Sequence, residues 1–592
     1  MQLFQRSAYC GEVNESFLGK EIFLSGWVRN RRDHGGLIFI DLGDRTGTMQ
    51  LVFNPDIDQK SLDLAHKLRH EFVISVRGKV INRSPETINE KLSTGKYELQ
   101  VDNLSIVNKA NPLPYQLEEA KNVDEELKLR YRYIDLRREE MQSILKLRHK
   151  VAFTAREYLD SQGFYEIETP ILSKSTPEGA RDFLVPSRLS PGTFYALPQS
   201  PQIYKQLLMG SGVDKYFQIV KCFRDEDLRA NRQPEFTQID IEMSFIQESD
   251  IQNICEGILS KIFDKVLKQP LDLPFPRITY DEAFSKFGTD APDTRFSLEI
   301  KKATNLFKET ELKFLRSIID KDGEVGMIHV KEKEFTRSEL DNLVDKAIKK
   351  FEAKGLLYVR FKEDGTPDSP VSKFLPEDFL KQVREIIPTL STKDTLFFVA
   401  GKYKESWGVL AKLRLLLGKN LNLIDKNKFK FLWVTDFPLF EYNEDEKRWD
   451  SVHHPFTQPE KDWENLELKD VKSRAYDLVC NGQEIGGGSI RIHDSEMQSK
   501  IFDLLGISQK EAEEKFGFLL EAQQLGFPPH GGFAFGQDRF LMILSGSDSI
   551  RDVIAFPKTQ SGTCPLMKTP SKVDDKQLKE LQIKSTYVPE EE

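Results

Sequence analysis

Residues 216–245 contain two strand-like stretches on either side of a charged loop, and this pattern constrains the fold more than any other part of the chain. The first stretch covers residues 216–224, and the second covers residues 236–245. In the second stretch, alternation with a period of two places a polar row on one face: Gln238, Asp240 and Glu242. A solvated face is the ordinary interpretation, but Arg224 ends the opposite strand, which favours a functional site. We therefore predict an antiparallel hairpin with a functional acidic face.

The amino-terminal part of the chain shows short strand patterns separated by turn residues. Strand-like runs occupy residues 22–28, 37–42, 49–53, 71–80 and 97–107, with helical spacing around 61–68. Five strands with a helix between the third and the fourth predict a small closed barrel of the OB-fold type. Its first two strands and their turn carry phosphate-binding cations and a base-stacking ring: Arg29, Arg31, Arg32 and Phe39. We therefore expect this barrel to bind single-stranded nucleic acid.

The length of 592 residues predicts several domains, because one domain typically takes about 150 residues. The sequence Asn111-Pro112-Leu113-Pro114 ends the barrel, and the densely charged stretch after it is typical of a hinge. Apolar residues at helical spacing then run from Ile144 to Leu159, and Gly163 ends that helix. The expected fold class is a multidomain α+β protein whose main domain is an antiparallel sheet flanked by helices. The predicted parts are the barrel (1–110), the hinge (111–140), the main domain (141–283 and 423–562), an inserted α+β domain (284–422) and a carboxyl-terminal extension (563–592).

Composition excludes several classes of protein. The 85 Lys plus Arg residues against 94 Asp plus Glu residues give a net charge of −9, which excludes a uniformly basic nucleic-acid-binding coat. The five cysteines show no CxxC or Cys/His spacing, so neither a disulfide framework nor a structural zinc site is expected. No apolar run is long enough for a membrane helix, and the amino terminus lacks the profile of a signal or transit peptide. We expect a cytoplasmic protein with no membrane partner.

Three motifs occur in order along the chain. They are Gly163-Phe-Tyr-Glu-Ile-Glu-Thr-Pro170 after the helix, Phe223-Arg-Asp-Glu226 in the hairpin, and Gly536-Gln-Asp-Arg539 before an apolar helix. Together they resemble motifs 1, 2 and 3 of the class II aminoacyl-tRNA synthetases. Four further stretches resemble the bacterial type of aspartyl-tRNA synthetase: residues 176–182 (TPEGARD), 199–205 (QSPQIYK), 453–456 (HHPF) and 486–491 (GGGSIR). The resemblance spans nearly the whole chain.

The resemblance implies an enzyme that joins L-aspartate to tRNA(Asp) through an aspartyl-adenylate, with ATP as the second substrate. It also implies that the barrel binds the anticodon and that the main domain is catalytic. Motif 1 forms the subunit interface in this class, so a homodimer is expected. The motif 1 helix supports this expectation, because Leu145 and Phe153 make it apolar on more than one side.

The nucleotide site is predicted around the hairpin loop and motif 3. The charge that develops on the α-phosphate of ATP needs a preorganised cation, and Arg224 at a strand end can supply it. By resemblance, Arg539 lies over one face of adenine and Phe236 lies against the other. By the same resemblance, Arg224, Arg539 and Glu484 are catalytic, and the full ATP-binding set is Arg224, Asp225, Glu226, Gln233, Phe236, Glu484, Gly536, Gln537, Asp538 and Arg539. Gln537 departs from the family, which more often has an apolar residue there.

Asp477 and Glu484 are separated by Asn481-Gly482, which suggests a turn between two strands. Such a turn brings both carboxylates to one Mg²⁺ that bridges ATP phosphates. The alternative is a pair of surface acids. The glycines at 486–488 are not followed by Lys-Ser/Thr, so a P-loop is not supported.

The aspartate pocket must bind one ammonium group and two carboxylates. Glu178, Asp240 and Gln202 can meet the ammonium group, and Lys205 and Arg491 can meet the side-chain carboxylate. The resemblance adds Ser200, Arg224, His453 and His454 to the pocket. The two histidines could alternatively belong to a loop that caps a helix.

In the barrel, the resemblance implies that Arg32, Phe39, Gln50 and Glu98 contact anticodon bases, although Phe39 could instead be a core residue. His34 lies in the turn where enzymes strict for tRNA(Asp) tend to differ from relaxed enzymes that also charge tRNA(Asn). We favour the relaxed type.

Two other functions stay open at this point. A related ligase could make an amide through aspartyl-adenylate without tRNA, but the Arg/Phe face of the barrel argues against it. A non-catalytic RNA-binding or scaffold protein descended from a synthetase would be expected to lose ATP-site residues, yet these are present: Arg224, Glu226, Phe236, Glu484 and Arg539.

Overall fold

The computed structural model describes residues 5–176 and 180–587. The chain divides into two compact units. The first unit contains residues 1–149 together with 549–572, and the second contains residues 150–548 together with 573–592.

The first unit begins with a closed five-stranded barrel in the order β1-β2-β3-β5-β4. Its elements are β1 (Glu21–His34), β2 (Leu37–Asp44), β3 (Gly47–Phe53), α1 (Gln59–Ala65), β4 (Val73–Asn82) and β5 (Tyr97–Asn108). The helix lies between the third and fourth strands, so the predicted OB-type barrel is confirmed. The first strand is longer than predicted because Gly35 and Gly36 alone make the turn to β2, both with positive φ. Alternating apolar residues of the strands fill the barrel, among them Leu24, Ile40, Leu51 and Val76, all with 0 % exposure.

The barrel is followed by α2 (Glu125–Arg130), α3 (Arg132–Asp135) and α4 (Glu139–Ser161). The carboxylate of Glu71, two residues before β4, is fully buried and forms ion pairs with Arg29 and Arg137. Arg132 is also buried and donates hydrogen bonds to the carbonyl oxygens of Arg551, Ile554 and Ala555. One network around the buried Glu71 and one around the buried Arg132 therefore hold the first unit together. Beyond α4, Gly163 has φ +80°, as expected for a helix-ending glycine.

The second unit starts with the elements that surround the predicted hairpin. They are β6 (Tyr165–Glu166), β7 (Leu184–Pro186), β8 (Phe194–Ala196), α5 (Gln202–Gly210), β9 (Lys215–Phe223), β10 (Glu235–Ser244), α6 (Glu248–Ile262), β11 (Arg277–Thr279) and α7 (Tyr280–Phe287). Strands β9 and β10 pair in antiparallel register, so the hairpin forms as predicted.

An insertion follows α7 and builds its own five-stranded sheet in the order β12-β13-β16-β14-β15. Its elements are β12 (Ile300–Lys302), α8 (Lys313–Ile319), β13 (Glu324–Val330), α9 (Arg337–Phe351), β14 (Leu357–Phe361), β15 (Pro367–Asp368), α10 (Phe379–Ile386), β16 (Thr395–Gly401) and α11 (Tyr403–Asn420). Apolar clusters occupy both faces of this sheet.

The chain then completes the main sheet. The remaining elements are β17 (Phe431–Thr435), β18 (Phe440–Asn443), β19 (Arg448–Ser451), β20 (Ala475–Cys480), β21 (Gln483–Ile490), α12 (Ser495–Leu504), α13 (Gln509–Gln524), β22 (His530–Gly536), α14 (Gln537–Ser545) and α15 (Asp575–Glu580). The main sheet has the order β11-β17-β20-β21-β22-β10-β9-β6 and is antiparallel except at its two edge pairs. The expected α+β class with a mainly antiparallel sheet is confirmed.

The end of β10 differs from the predicted alternation. The predicted stretch reaches residue 245, whereas Phe245 lies beyond the strand, has φ +58° and is 72 % exposed. The row that the alternation predicted to be polar is itself buried, with Asp240 and Glu242 at 0 % exposure. Alternation shows which residues share a face, but it does not show that α5 and neighbouring strands cover that face.

Candidate active site

The centre of the candidate site is a buried ion-pair cluster on β10. The Nζ atom of Lys205, on the first turn of α5, lies 2.7 Å from Asp240 Oδ1 and 3.0 Å from Glu242 Oε2. All three side chains are at most 2 % exposed. Asp240 and Glu242 reach the same ammonium group because the strand period places them on one face. The hairpin pattern therefore predicted their proximity correctly.

Arg491 joins the same cluster directly after β21. Its Nε and Nη2 atoms donate to the two carboxylate oxygens of Glu242, at 3.0 and 3.3 Å. Its Nη1 atom donates to Ser489 Oγ and to His454 Nε2, both at 2.6 Å. Gly532, opposite Glu242 on β22, leaves room for this arrangement, because a Cβ atom there would collide with Glu242 Oε2. Lys205 and Arg491, which were predicted to bind the same substrate carboxylate, both contact one carboxylate of the protein, that of Glu242.

Glu242 contacts both cations of the cluster, although the sequence motifs assign it no role. Two cations, Lys205 and Arg491, balance two carboxylates, Asp240 and Glu242, so the cluster has no net charge. The alternation pattern of the sequence does indicate that Glu242 lies near Asp240, because it places both residues in one row. Its pairing with Arg491 depends on sheet order, which the local pattern does not contain.

The two carboxylates have opposite pKa shifts. Burial raises the pKa of Asp240 to about 6, although Lys205 acts in the opposite direction. Burial also opposes ionisation of Glu242, but the charges of Arg491 and Lys205 outweigh it and lower the pKa to about 2. Burial and the charge of Arg491 hold the pKa of His454 well below its usual value, so its Nε2 atom is a neutral acceptor for Arg491.

Two buried polar atoms beside the cluster have no hydrogen-bond partner among the described residues, Asp240 Oδ2 and Gln202 Nε2. Such atoms are costly unless a ligand or water satisfies them. Ser200 lies next to Gln202, and its Oγ accepts a hydrogen bond from the backbone N–H of Gln202 at 3.2 Å. Glu178, the other residue predicted to meet an ammonium group, lies outside the described residues. Four residues of the predicted aspartate pocket therefore lie on or next to α5 and β10: Ser200, Gln202, Lys205 and Asp240.

The loop of the hairpin carries the predicted nucleotide-binding residues. The guanidinium carbon of Arg224 lies 5.2 Å from the ring centroid of Phe236, on the facing strand. Glu226 pairs with Arg232 at 2.7 Å, and Gln233 is 4 % exposed. The backbone N–H of Asp225 donates to the carbonyl oxygen of Arg181 at 3.0 Å.

Motif 3 lies against the same strand. Gly536 pairs with Gln238 in the β10–β22 register, and Asp538 Oδ2 accepts a hydrogen bond from the backbone N–H of Thr237 at 2.7 Å. Gln537 is 2 % exposed, so its side chain faces the interior. Arg539 donates from Nη1 to the carbonyl oxygen of Glu484 at 2.7 Å. Asp538 thus joins motif 3 to the strand after motif 2, and Arg539 joins motif 3 to β21.

Asp477 and Glu484 lie on the hairpin β20–β21, as the sequence suggested. A Cβ atom at Gly487 would lie 2.5 Å from Asp477 Oδ1 and 3.8 Å from Glu484 Oε1, so both carboxylates border the space above this glycine. His453 Nε2 lies 3.5 Å from Asp477 Oδ1. Burial disfavours the charged form of His453, but Asp477 and Glu484 together raise its pKa. Among the described residues, no group of three or more His, Cys, Asp or Glu side chains is arranged to hold a metal ion.

The barrel of the first unit presents a separate polar cluster on β1, β3 and β5. Gln50 is 4 % exposed and accepts hydrogen bonds at Oε1 from Arg32 at 3.0 Å and from Arg83 at 2.9 Å. Its Nε2 atom donates to Glu98 Oε2 at 2.7 Å. Arg32, Gln50 and Glu98 are therefore brought together as predicted, and Arg83 is an additional member.

Phe39 lies opposite Arg32 in the β1–β2 register. Its neighbours Ile38 and Ile40 are both at 0 % exposure in the barrel core, whereas Phe39 is half-buried. His34 is exposed at the end of β1. Phe39 therefore sits on the face of β2 opposite to the core, beside the Gln50 cluster.

Comparison with known proteins agrees with this geometry. A family model described as tRNA synthetases class II (D, K and N) matches residues 124–560, and one described as OB-fold nucleic acid binding domain matches residues 22–107. The aspartate–tRNA ligase of Macrococcus caseolyticus is 52 % identical over 583 residues, which are 98 % of each chain. The chain belongs to the aspartate–tRNA ligase family. The family resemblance expected from the motifs is therefore confirmed.

Other members of the aspartate–tRNA ligase family have a broader name. The aspartate–tRNA(Asp/Asn) ligase of Persephonella marina is 51 % identical over 599 residues, covering 99 % of this chain and 98 % of the relative. Among solved structures, asparaginyl-tRNA synthetase from Pyrococcus horikoshii complexed with asparaginyl-adenylate has a TM-score of 0.60 at 20 % identity, over 94 % of this chain and 99 % of that chain. At that identity the similarity shows a shared fold. None of the described helices is both long and apolar enough to cross a membrane.

Proposed function

We propose that this chain activates L-aspartate with ATP and transfers the aspartyl group to tRNA(Asp). The observation that carries the proposal is the buried, charge-balanced cluster of Lys205, Asp240, Glu242 and Arg491, placed beside the motif 2 and motif 3 residues. An amino acid with two carboxylates and one ammonium group matches a site of paired cations and carboxylates. The family supports the same reaction, with ATP, aspartate and tRNA as substrates.

Each end of the substrate meets a different part of the cluster. The buried Oδ2 atom of Asp240 accepts from the substrate ammonium group, next to Ser200 and Gln202. Arg491 and Lys205 bind the side-chain carboxylate of the substrate, and Glu242 positions both cations through its ion pairs with them. His453 and His454 complete the lining of the aspartate pocket, and His454 is neutral beside Arg491. We also assign Glu178 to the binding of the substrate ammonium group.

Catalysis requires positioning and charge stabilisation rather than a protein nucleophile. Arg224 binds the α-phosphate and the reacting carboxylate as the aspartate oxygen attacks phosphorus and pyrophosphate leaves. Phe236 and Arg539 hold adenine between them, and Asp225, Glu226, Gln233, Gly536, Gln537 and Asp538 complete the nucleotide site. The terminal ribose hydroxyl of the tRNA then attacks the activated carbonyl carbon, and AMP leaves.

The carboxylates of Asp477 and Glu484 fit a hard divalent cation. Both border the space above Gly487, and both supply oxygen ligands. Two protein carboxylates suit Mg²⁺, which typically completes its coordination with substrate phosphates and water. Bound there, Mg²⁺ would neutralise phosphate charge. His453 orients Asp477, and Arg539 fixes the backbone at Glu484.

The barrel, residues 1–110, is proposed to read the anticodon, and the hinge at 111–140 joins it to the catalytic parts at 141–283 and 423–562. The insertion takes residues 284–422, and residues 563–592 form an extension. For the bases, Arg32 provides a cation, Phe39 a ring, Gln50 an amide group and Glu98 a carboxylate. His34 at the hairpin end supports charging of tRNA(Asn) as well, as in relatives named for both tRNAs.

A homodimer is proposed around motif 1. Apolar side chains of the strand and loop after α4 are exposed, among them Tyr165 at 68 % and Leu172 at 52 %. Exposed apolar side chains at this density are typical of a surface that another subunit covers.

The reaction is tested by aspartate-dependent exchange of pyrophosphate into ATP, followed by charging of purified tRNA(Asp) and tRNA(Asn). Replacing Arg224 by alanine should lower exchange by a factor of about 100 or more, because one preorganised cation at the transition state is lost. Replacing Arg188, an arginine outside the proposed machinery, by alanine provides the matched control. Exchange that does not depend on aspartate in the wild type would contradict the proposed function.

A further inference from the structure

The turn between β20 and β21 consists of Asn481 and Gly482, both with positive φ, at +53° and +83°. This turn precedes Glu484 by two residues. The side chain of Asn481 makes two hydrogen bonds to the segment that leads out of the insertion: its Oδ1 accepts from the N–H of Lys430 at 2.9 Å, and its Nδ2 donates to the carbonyl of Lys428 at 2.9 Å. The turn is therefore tied to the exit of the insertion.

The segment that leads into the insertion touches the other residue of this turn. A Cβ atom at Gly482 would lie 3.1 Å from the Cβ of Asp293, which is 3 % exposed. Arg295 holds the Asp293 carboxylate through Nε and Nη2, at 3.0 and 2.7 Å, and it also contacts the carbonyl oxygen of Asp425 at 3.5 Å. Entry and exit of the insertion thus meet at the turn.

Arg414, on the long helix α11 of the insertion, fixes the same entry segment. It is 1 % exposed and donates from Nη2 to the carbonyl oxygens of Asp293 and Phe296, at 2.8 and 2.9 Å. Its guanidinium carbon lies 4.1 Å from the ring centroid of Phe296 and 4.8 Å from that of Phe287. A buried guanidinium with several carbonyl partners defines one backbone arrangement, because any other leaves donors unsatisfied.

We propose that the insertion positions the carboxylates of Asp477 and Glu484 through this contact, so that Asn481, Arg295 and Arg414 are positioning residues for ATP and its divalent cation. We call the four residues Asp293, Arg295, Arg414 and Asn481 the insertion anchor. The inference rests on the proposed function, because it assumes that the hairpin β20–β21 meets the nucleotide. It gives the insertion a role that no motif in the sequence assigned to it.

We expect the insertion anchor to affect the binding of the nucleotide and not the binding of the amino acid. The turn lies at one end of β21, next to Glu484, whereas Arg491 follows the opposite end of that strand. Lys205, Asp240 and Glu242 lie on α5 and β10, which make no hydrogen bond to the turn among the described residues. A shift of the turn therefore moves the carboxylates that face the cation while it leaves the aspartate cluster in place.

The first test variant is Asn481→Gly, which keeps a residue suited to positive φ and removes only the two side-chain bonds to Lys428 and Lys430. The second variant is Arg295→Gln, which removes the ion pair with the Asp293 carboxylate. The matched control is Arg360→Gln, because Arg360 lies in the same insertion and pairs with Asp368 away from the turn. Thermal unfolding of all three verifies that each is folded at the assay temperature.

The first measurement is the affinity for Mn²⁺ together with a non-hydrolysable ATP analogue, monitored by electron paramagnetic resonance. The second measurement is the KM for ATP and the KM for aspartate in pyrophosphate exchange. We expect Asn481→Gly and Arg295→Gln to weaken Mn²⁺–nucleotide binding about tenfold, from the loss of one or two hydrogen bonds. The KM for aspartate should stay within about twofold of the wild type. Arg360→Gln should match the wild type in every measurement. The double variant should lose less than the product of the two single effects, because both act through one turn.

Mn²⁺–nucleotide affinities within twofold of the wild type in both anchor variants would overturn the inference. A rise in the KM for aspartate as large as the loss of Mn²⁺–nucleotide affinity would also overturn the inference, because the effect would then be a general loss of structure. Wild-type protein without aspartate-dependent exchange would instead contradict the proposed function, and the Mn²⁺ measurements would still decide the positioning role. A wild type that binds no Mn²⁺–nucleotide would refute both.

Discussion

Replacing Arg491 by leucine should reduce the activation of aspartate far more than that of asparagine. Arg491 makes two hydrogen bonds to Glu242 and one each to Ser489 and His454. Leucine is shorter, carries no charge and can donate none of these hydrogen bonds. The change leaves Lys205 alone with Asp240 and Glu242, so the charge of the cluster goes from zero to −1. A negative pocket repels the side-chain carboxylate of aspartate, whereas the neutral amide of asparagine is much less affected.

The size of the effect follows from the burial of the cluster. Breaking a buried ion pair by removal of one partner costs about 3–5 kcal/mol, which corresponds to roughly 10²- to 10⁴-fold in kcat/KM for aspartate. Sites built around buried polar partners discriminate against analogues by about 10⁴–10⁵. The leucine variant should therefore narrow the aspartate-to-asparagine ratio by a factor of about 100 or more. Arg491→Lys keeps the charge but loses the bidentate geometry, so its aspartate-to-asparagine ratio should fall less than that of the leucine variant.

The assay is adenylate formation, measured by pyrophosphate exchange with each amino acid over a range of concentrations. Circular dichroism and thermal unfolding provide the folding control, because loss of Arg491 also removes a partner from the buried carboxylate of Glu242. An unchanged ratio of the two kcat/KM values in a folded leucine variant would refute the reasoning. It would mean that Arg491 holds Glu242 but does not read the side chain of the substrate.

Three further predictions concern the pocket, the barrel and the assembly. The pKa of Asp240 is about 6, so the residue is ionised above that pH and loses its charge below it. The KM for aspartate should therefore rise as the pH falls through 6 while the KM for ATP stays level, and an aspartate KM that is flat down to pH 5 would contradict this role. Phe39→Ala should weaken tRNA binding by about 1–3 kcal/mol while pyrophosphate exchange is retained, and equal loss of both would indicate that the barrel had unfolded. Light scattering should give about twice the chain mass of 68.4 kDa, and a fully active species at the mass of one chain would exclude the homodimer.

The local sequence determined most of the secondary structure near the site. The turn residues and alternation of the first 107 residues predicted the five barrel strands, because alternation is expected where a strand has one face in the core and one toward solvent. The row of Gln238, Asp240 and Glu242 predicted the polar face of β10 for the same reason. Asn481-Gly482 predicted a tight turn because both positions adopt positive φ readily. These features depend on neighbours in the chain, so they can be read without the fold.

Only the tertiary structure decided what each of these faces meets. The polar face of β10 is buried, and Glu242 binds Arg491, because β22 and β21 follow β10 in the sheet order. Sheet order is also what brings Arg539 to the backbone of Glu484. The contact of Asp293 with Gly482 likewise depends on how the insertion returns to the main sheet. Pairings between distant segments are decided by the packing of whole elements, and a period of two or 3.6 residues carries no information about them.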